Sequence, residues 1–340
     1  MSTTTAEPGV DLGTGTAGLE VRRGSRTTAV SAVAFLAVVV VLALAPFWGD
    51  PSTLNSLVRL CTLVAIAQMW NLLAGYAGRV SIGMQAFIGI GGYSLVLFGN
   101  NTGIDVFACV LIAGVVSALV AVPVAALAFR LDGGYFAIGT WVIAEVIRLI
   151  VANVDALGGG TGTSITAVVG IDITTRQRVT FWLALGLAVL SVVVVVGILR
   201  TRLGLGLAAA RALGVSIRRA QLVAFVVAAA GCGIAGAIIY LDLLRVTPND
   251  AFSVNWTAFM IFMVVIGGLG TVEGPIIGAV VFFALEQLLD GSTYLIVLGV
   301  LAIVVTLRLP GGLWGLVAER TGARLVPVTP RVLPRRGGRA

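Results

Sequence analysis

The sequence predicts an all-α integral membrane protein, and three features of the chain support that prediction. Its 340 residues are 59% hydrophobic and 11% charged, whereas soluble domains carry about 25% charged residues. Apolar runs of about 20 residues, the length that crosses a bilayer as a helix, recur along most of the chain. All 22 basic residues are arginines, and they cluster in alternate loops. In water such a chain would expose apolar patches far larger than soluble proteins carry.

The apolar runs predict about ten transmembrane helices, several of them interrupted by glycine. We place them at residues 29–48, 55–76, 80–99, 104–130, 134–153, 179–199, 220–241, 254–269, 275–290 and 293–309. Residues 1–28 are polar and lack apolar periodicity, so they are predicted to form a disordered tail. Residues 29–309 would then form the transmembrane domain, and residues 310–340 a second, basic tail.

The placement of the arginines predicts that both termini lie in the cytoplasm (N-in/C-in). With the N-terminus inside, most of the arginines fall in cytoplasmic segments, and the outer loops receive only Arg176, Arg178 and Arg245. The opposite orientation would invert this bias, against the rule that positive charge collects on the cytoplasmic side. Because both tails are basic, the number of spans is predicted to be even.

Glycine is abundant, at 44 residues, and much of it lies in two clusters. One interpretation is close helix packing, since small residues let backbones approach in lipid. The other is broken backbone that lines a pathway, because irregular backbone at membrane depth must be buried in protein or face a water cavity. Composition leaves both open. The residues predicted to shape the two broken segments are Asn71, Gly75, Tyr76, Gly78, Gly83, Phe87, Gly89 and Gly91, and then Gly267, Gly268, Gly270, Gly274 and Pro275.

Two opposite charges fall inside the fifth predicted span. Glu145 and Arg148 are spaced i, i+3, which predicts an ion pair on one helix face. Charges at membrane depth are functional candidates, so these two residues, with Tyr135 and Phe136, are predicted to face the pathway. The alternative is a structural pair enclosed within the bundle, and it is favoured because paired charges need no ligand to be stable.

Several classes of function are excluded by the residues that are missing. The chain has no histidine, which removes the commonest general base and metal ligand. Cys61, Cys109 and Cys232 are scattered through apolar runs, where thiols act as small hydrophobic groups. A Walker motif is absent and there is no lysine, so the chain cannot bind ATP in the Walker manner. Neither a metal, a cofactor nor an enzymatic activity is predicted.

Two connections are long enough to carry function. The outer stretch, residues 154–178, contains the glycine-rich sequence LGGGTGTS. The inner stretch, residues 200–219, is basic and rich in alanine, which predicts a partly helical segment. It could lie on anionic lipid or dock a cytoplasmic partner, and the physics of a basic interfacial helix alone favours lipid.

The motifs of the chain, taken in order, resemble those of a transporter family. The pieces are AGYAGRVSIGMQAFIGIGGY, GGYFAIGTWVIAEVIRL, LGGGTGT, ARALGV followed by RRAQLVAFVVAAAGCGIAGA, VVIGGLGTVEGPIIGA and RLPGGLWG. They resemble the permease subunits of ABC importers for branched-chain amino acids, in particular the M-type permease of the high-affinity leucine, isoleucine and valine uptake family. The resemblance covers about residues 55 to 316, so residues 29–309 are expected to form a permease domain.

The resemblance implies a transport subunit and a set of partners. These are a second permease subunit, two cytoplasmic ATPase subunits that bind the ATP, and an extracytoplasmic substrate-binding protein, at a bacterial plasma (inner) membrane. The inner stretch becomes the expected ATPase-docking loop, which displaces the preference for lipid. The residues predicted to contact the ATPase are Arg202, Arg211, Leu213, Gly214 and Arg218. In one departure from the family, a charged segment that usually precedes ARALGV is missing.

The alternatives concern the substrate and the energy source. The resemblance leaves amides and urea open as substrates, and a related ABC permease of the wider superfamily would carry sugars. A secondary transporter driven by an ion gradient would need a deep carboxylate at an ion site. Glu145 is the only deep acid available, and its arginine neighbour argues against that role.

Overall fold

The computed structural model describes residues 19–22, 26–201, 204, 218–289, 291, 293–309, 311–321 and 331–334. Its helices are α1 Arg26–Ala43, α2 Ala45–Trp48, α3 Pro51–Asn71, α4 Gln85–Ser94, α5 Val106–Ala128, α6 Gly134–Ala152, α7 Ile173–Arg200, α8 Arg218–Leu243, α9 Pro248–Ala251, α10 Val254–Gly267, α11 Gly274–Leu288, α12 Thr293–Arg308 and α13 Gly312–Thr321. The predicted docking residues Arg202, Arg211, Leu213 and Gly214 lie outside the described residues.

Two helices continue into wider turns, and the strands are short. Leu72–Tyr76 extends α3 and Leu95–Asn100 extends α4 as π-helix. The strands are β1 Leu19–Arg22, β2 Thr163–Ser164, β3 Arg245–Val246 and β4 Arg331–Pro334. They form two antiparallel pairs, β1 with β4 and β2 with β3. Strand β1 and the start of α1 lie within the stretch that the sequence predicts to be a disordered tail.

The helices confirm an all-α membrane protein. Within the described residues, six helices are long and apolar enough to cross a bilayer. A seventh is added if α12 and α13, which meet at a 45° bend, are one span. Two apolar helical segments are shorter. They are Phe35–Trp48, which runs from α1 through α2, and Gly274–Leu288, which is α11. The count of ten spans and the N-in/C-in orientation remain predictions.

Local sequence accounts for where several helices begin. The side chains of Asp105, Asp172 and Ser253 cap α5, α7 and α10 by accepting hydrogen bonds from the first free backbone N–H groups. Proline stands in the first turn of α3, α9 and α11, where its missing N–H costs nothing. The ends of these helices are therefore set by short-range chemistry.

The core is built around α4, and α6 lies at its edge. Every residue of α4 is buried, and the helix packs against α5 and α8. Helix α3 packs against α7, α8, α10 and α11. In α6, by contrast, only Phe136, Thr140 and Ala144 are buried.

Candidate translocation site

The end of α3 is joined by side-chain amides to the loop between α10 and α11. Gln68 Nε2 donates to the carbonyl oxygen of Val272 at 2.6 Å, and Asn71 Nδ2 donates to that of Thr271 at 2.8 Å. The N–H of Gly270 donates to Asn71 Oδ1 at 2.9 Å. Both amide side chains are fully buried. They supply hydrogen-bond partners to backbone groups of this irregular loop, as buried polar groups require.

Glycine makes this contact possible. A Cβ atom at Gly75 would lie 2.7 Å from the backbone nitrogen of Gly270 and 2.9 Å from its Cα atom. Gly268 has a φ of +136°, which favours glycine, and a Cβ atom at Gly312 would lie 2.5 Å from the Cα atom of Gly268. The two glycine clusters thus meet each other, and the start of α13 joins them. The sequence predicted two separate broken segments and gave no sign of their contact.

The rest of the second cluster organises the loop itself. Thr271 Oγ1 donates to the carbonyl oxygen of Gly268 at 2.8 Å and accepts from the N–H of Gly274 at 3.0 Å. Gly267 packs against the backbone of Gly274, and Pro275 opens α11 in its first turn. These contacts hold the loop together independently of its hydrogen bonds to α3.

The remaining residues of the first cluster serve close packing. Gly83 approaches the backbone of α6 at Thr140, and Gly91 approaches the backbone of α8 at Gly233. A Cβ atom at Gly89 would lie 2.6 Å from Cζ of Phe252, and the Phe87 ring packs edge-on against Phe225, with centroids 5.6 Å apart. Tyr76 is partly buried and Gly78, at a φ of +68°, has open space beside it. For α4 the packing interpretation fits, and a role of these residues in translocation stays a prediction.

The structure confirms the ion pair on α6 but places it at an open surface of the chain. Arg148 Nε donates to the two carboxylate oxygens of Glu145 at 2.9 and 3.0 Å, and Arg148 Nη1 donates to Asn249 Oδ1 at 2.8 Å. The side chains are 45% exposed for Glu145 and 23% exposed for Arg148. The chain's own helices therefore cover this pair only in part. Tyr135, on the same helix, is also exposed, whereas Phe136 is buried.

A cationic and aromatic cluster links the starts of α6 and α8 to the first glycine cluster. The guanidinium of Arg79 lies over the rings of Phe129 and Phe136, 5.6 and 5.3 Å from their centroids, and pairs with Asp132 at 3.0 Å. Gln221, near the N-terminus of α8, donates to the carbonyl oxygen of Ala77 at 3.1 Å. The predicted docking residue Arg218 is exposed at the first position of α8, one turn before Gln221.

A second ion pair joins the other end of α3 to α11. Arg59 Nη2 lies 2.9 Å from Glu286 Oε1, and its guanidinium stacks on the Trp256 ring at 5.2 Å. The two charges are 227 positions apart, so no helical spacing in the sequence connects them. The pair could be found only from the fold.

The glycine-rich stretch after α6 is held against the segment before α10. Strand β2 pairs with β3, and the N–H of Ile165 donates to the carbonyl oxygen of Leu244 at 2.9 Å. Asn100 Oδ1 accepts from the N–H groups of Thr166 and Ala167, at 2.9 and 3.0 Å. This predicted outer surface is therefore an ordered layer that also carries Asn249, the partner of Arg148.

Comparisons with known proteins identify the family of the chain. Residues 52–309 match the family described as "Branched-chain amino acid transport system / permease component". The chain is 28% identical over 315 residues to the "High-affinity branched-chain amino acid transport system permease protein LivM" of Escherichia coli (strain K12), covering 82% of this chain and 74% of that protein. The protein of the same description from Salmonella typhimurium (strain LT2) is similar to the same extent.

A more distant relative and the solved structures complete the comparison. The "Probable branched-chain amino acid transport permease protein LivM" of Methanocaldococcus jannaschii is 27% identical over 174 residues, which covers 48% of this chain and 50% of that protein. No solved structure matches the chain. The family match takes in α3 to α12, the two glycine clusters and the ion pair of α6, and the chain is thus a multi-pass membrane protein of the branched-chain amino acid permease family, a transport subunit that is not itself an enzyme.

Proposed function

We propose that this chain translocates branched-chain, hydrophobic amino acids by alternating access, as one permease subunit of an ATP-driven importer. The observation that carries the proposal is the family match over residues 52–309, a range that takes in the described helices α3 to α12. The names of the relatives supply the substrate class, and the exposed face of α6 supplies a surface on which a pathway can form.

The proposal includes the partners that such a transporter needs. A second permease subunit would complete the pathway, two cytoplasmic ATPase subunits would bind and hydrolyse ATP, and an extracytoplasmic binding protein would deliver the substrate. No cofactor would be bound by this chain. Arg218 lies in the inner stretch at the first position of α8, and its exposure supports ATPase docking there.

The proposed topology has ten spans with both termini in the cytoplasm of a bacterial inner membrane. Its support is the arginine bias in the sequence. In addition, the π-extended α4 and helix α11 are apolar segments that could add to the six long helices. Labelling of single cysteines placed in the tails and loops with a membrane-impermeant thiol reagent tests this orientation.

Uptake into proteoliposomes tests the function. The chain would be reconstituted with its permease partner, ATPases and binding protein, and labelled leucine, urea and a sugar would be offered with and without trapped ATP. We expect uptake of leucine that depends on ATP. Uptake of urea or sugar alone would show a different substrate class. Uptake driven by an imposed ion gradient without ATP would contradict the assignment as an ATP-driven importer.

Replacing Arg218 with Glu tests the docking surface in the same system. Reversing a charge at an interface that fits an ATPase should reduce both assembly and ATP-dependent uptake, because like charges placed together cost affinity. Arg245, an arginine at the predicted outer surface, gives the matched control. Equal behaviour of the Arg218→Glu and Arg245→Glu variants would argue against docking at the start of α8.

A further inference from the structure

The ion pair of α6 lies in a position that lipid cannot cover. Helix α6 is about 28 Å long by its rise per residue, and Glu145 lies about 10 Å from its C-terminal end. A half-exposed carboxylate at that depth is costly against acyl chains, so it must face water or protein. The face of α6 that carries it therefore borders a polar space.

Glu145 and Arg148 do not use all of their hydrogen-bond acceptors and donors within the chain. Within the described residues the Glu145 carboxylate accepts hydrogen bonds from Arg148 only. The guanidinium has five N–H donors, and its bonds to Glu145 and Asn249 leave some of them unused. A carboxylate and a guanidinium that are both accessible and adjacent can bind a ligand that carries an ammonium beside a carboxylate.

Apolar side chains surround the pair on the same face. Trp141 and Val142 lie one turn before Glu145, Leu149 lies one turn after it, and all three are exposed. Binding sites for small molecules are mostly apolar with a few placed polar groups. The surface therefore offers a charged position for the head of an amino acid and an apolar position for an aliphatic side chain.

We infer that Glu145 and Arg148, with Asn249 holding the guanidinium, form a subsite that binds the ammonium and carboxylate groups of an α-amino acid near the outer end of α6. The inference rests on the proposed function and deepens it. Glu145 accepts from the ammonium group, and the free N–H groups of Arg148 donate to the carboxylate. The site is open on the side away from this chain, where the second permease subunit would close it.

Analogues that lack one charged group test the subsite without the binding protein, which has its own selectivity. Equilibrium binding of leucine, leucinamide and 4-methylpentanoate to the purified permease–ATPase complex would be measured. Leucinamide lacks the carboxylate, and 4-methylpentanoate lacks the ammonium. Both should bind about tenfold or more weakly than leucine, the loss that follows removal of a charge-assisted hydrogen bond.

Single variants assign each charge to its group. In Glu145→Gln the preference for leucine over 4-methylpentanoate should disappear, and in Arg148→Gln the preference for leucine over leucinamide should disappear. Preferences that stay as in the unchanged protein would overturn the subsite. So would the absence of any preference among the three compounds in the unchanged protein.

The double variant separates the subsite from a mere contact between subunits. In Glu145→Gln/Arg148→Gln, ATP-driven leucine uptake should fall about tenfold while the complex assembles and the loaded binding protein still stimulates ATP hydrolysis. Arg59→Gln/Glu286→Gln removes the same two charges elsewhere and should keep its uptake. Loss of assembly in the first variant would make the pair an interface contact and overturn the subsite. If the unchanged complex takes up no leucine, the proposed function fails instead.

Discussion

Gly83, two residues before α4, approaches Thr140 of α6, yet the two helices are covered to very different degrees. Every residue of α4 is buried, and its glycines let the backbone of α8 and the ring of Phe252 approach it closely. Helix α6 buries three residues and turns an ion pair and a row of large apolar side chains outward. The residues of α4 are explained by contacts within the chain, whereas the exposed residues of α6 are not.

The difference shows that glycine content alone does not mark a pathway. The α4 glycines are explained by contacts within the chain, so the packing interpretation accounts for them. The charges of α6 are not explained in that way, because the chain leaves the side chain of Glu145 45% exposed and that of Arg148 23% exposed. Substitutions in α4 should therefore act on folding, and substitutions on the open face of α6 should act on transport.

Replacing Gly91 with Leu should have the largest effect. A side chain there would enter the backbone of α8 at Gly233, and such overpacking costs about 3 kcal/mol or more when backbone must move. We expect loss of folded protein, measured by fluorescence-detected size-exclusion chromatography. Gly186 lies in α7, where an added Cβ atom would meet nothing within 4 Å, so Gly186→Leu is the control. Similar yields for the two variants would contradict the packing explanation.

Replacing Asn71 with Ala should have the second-largest effect on stability. It leaves the Gly270 N–H and the Thr271 carbonyl without their partner, and each unsatisfied buried group costs about 1–3 kcal/mol. The melting temperature of the purified permease complex should fall clearly. Thr62→Val is the control, since among the described residues Thr62 bonds only to the backbone of its own helix, at Val58 and Arg59. A drop no larger than that of the control would refute the tie between α3 and the loop.

Replacing residues of the Arg59–Glu286 pair should lower stability by a smaller amount, and the effects of the two substitutions should depend on each other. Arg59→Gln alone leaves Glu286 without its charge partner and should lower the unfolding midpoint, by an amount on the order of 1 kcal/mol for a pair of this exposure. Adding Glu286→Gln should restore part of the loss, because the unpaired charge is then removed. Midpoints from a double-mutant cycle measure the coupling, and additive losses would show that the contact contributes nothing.

The cap of α7 should give the smallest effect, and it depends on pH. Hydrogen bonds from Thr174 and from the backbone N–H groups of Thr174 and Thr175 lower the pKa of Asp172 below its ordinary value of 3.8. A carboxyl whose pKa is lowered by folding adds stability above its unfolded pKa and loses it as the pH falls through the folded pKa. The difference in melting temperature between the unchanged protein and Asp172→Asn should therefore shrink below about pH 4. A constant difference at all pH values would show that the charge has no part in the cap.

Local patterns in the sequence predicted the features that residues close together in the chain determine. The apolar runs located the long helices, and the i, i+3 spacing of Glu145 and Arg148 located their ion pair. Gly-rich segments were found but their contacts were not, because Asn71 and Gly270 are 199 positions apart. The exposure of the α6 pair was also missed, since spacing gives the face that two residues share and not what covers that face.

The amide contacts of α3 have a consequence for the synthesis and membrane insertion of the protein. Gln68 and Asn71 enter the membrane with one of the first helices, while Val272 and Thr271, which they bind, follow about 200 positions later. Until the ribosome has delivered that loop, two polar amides must be kept in water, in the insertion machinery or in transient contacts. The loop between α10 and α11 must therefore be in place before the side chains of Gln68 and Asn71 gain these hydrogen bonds.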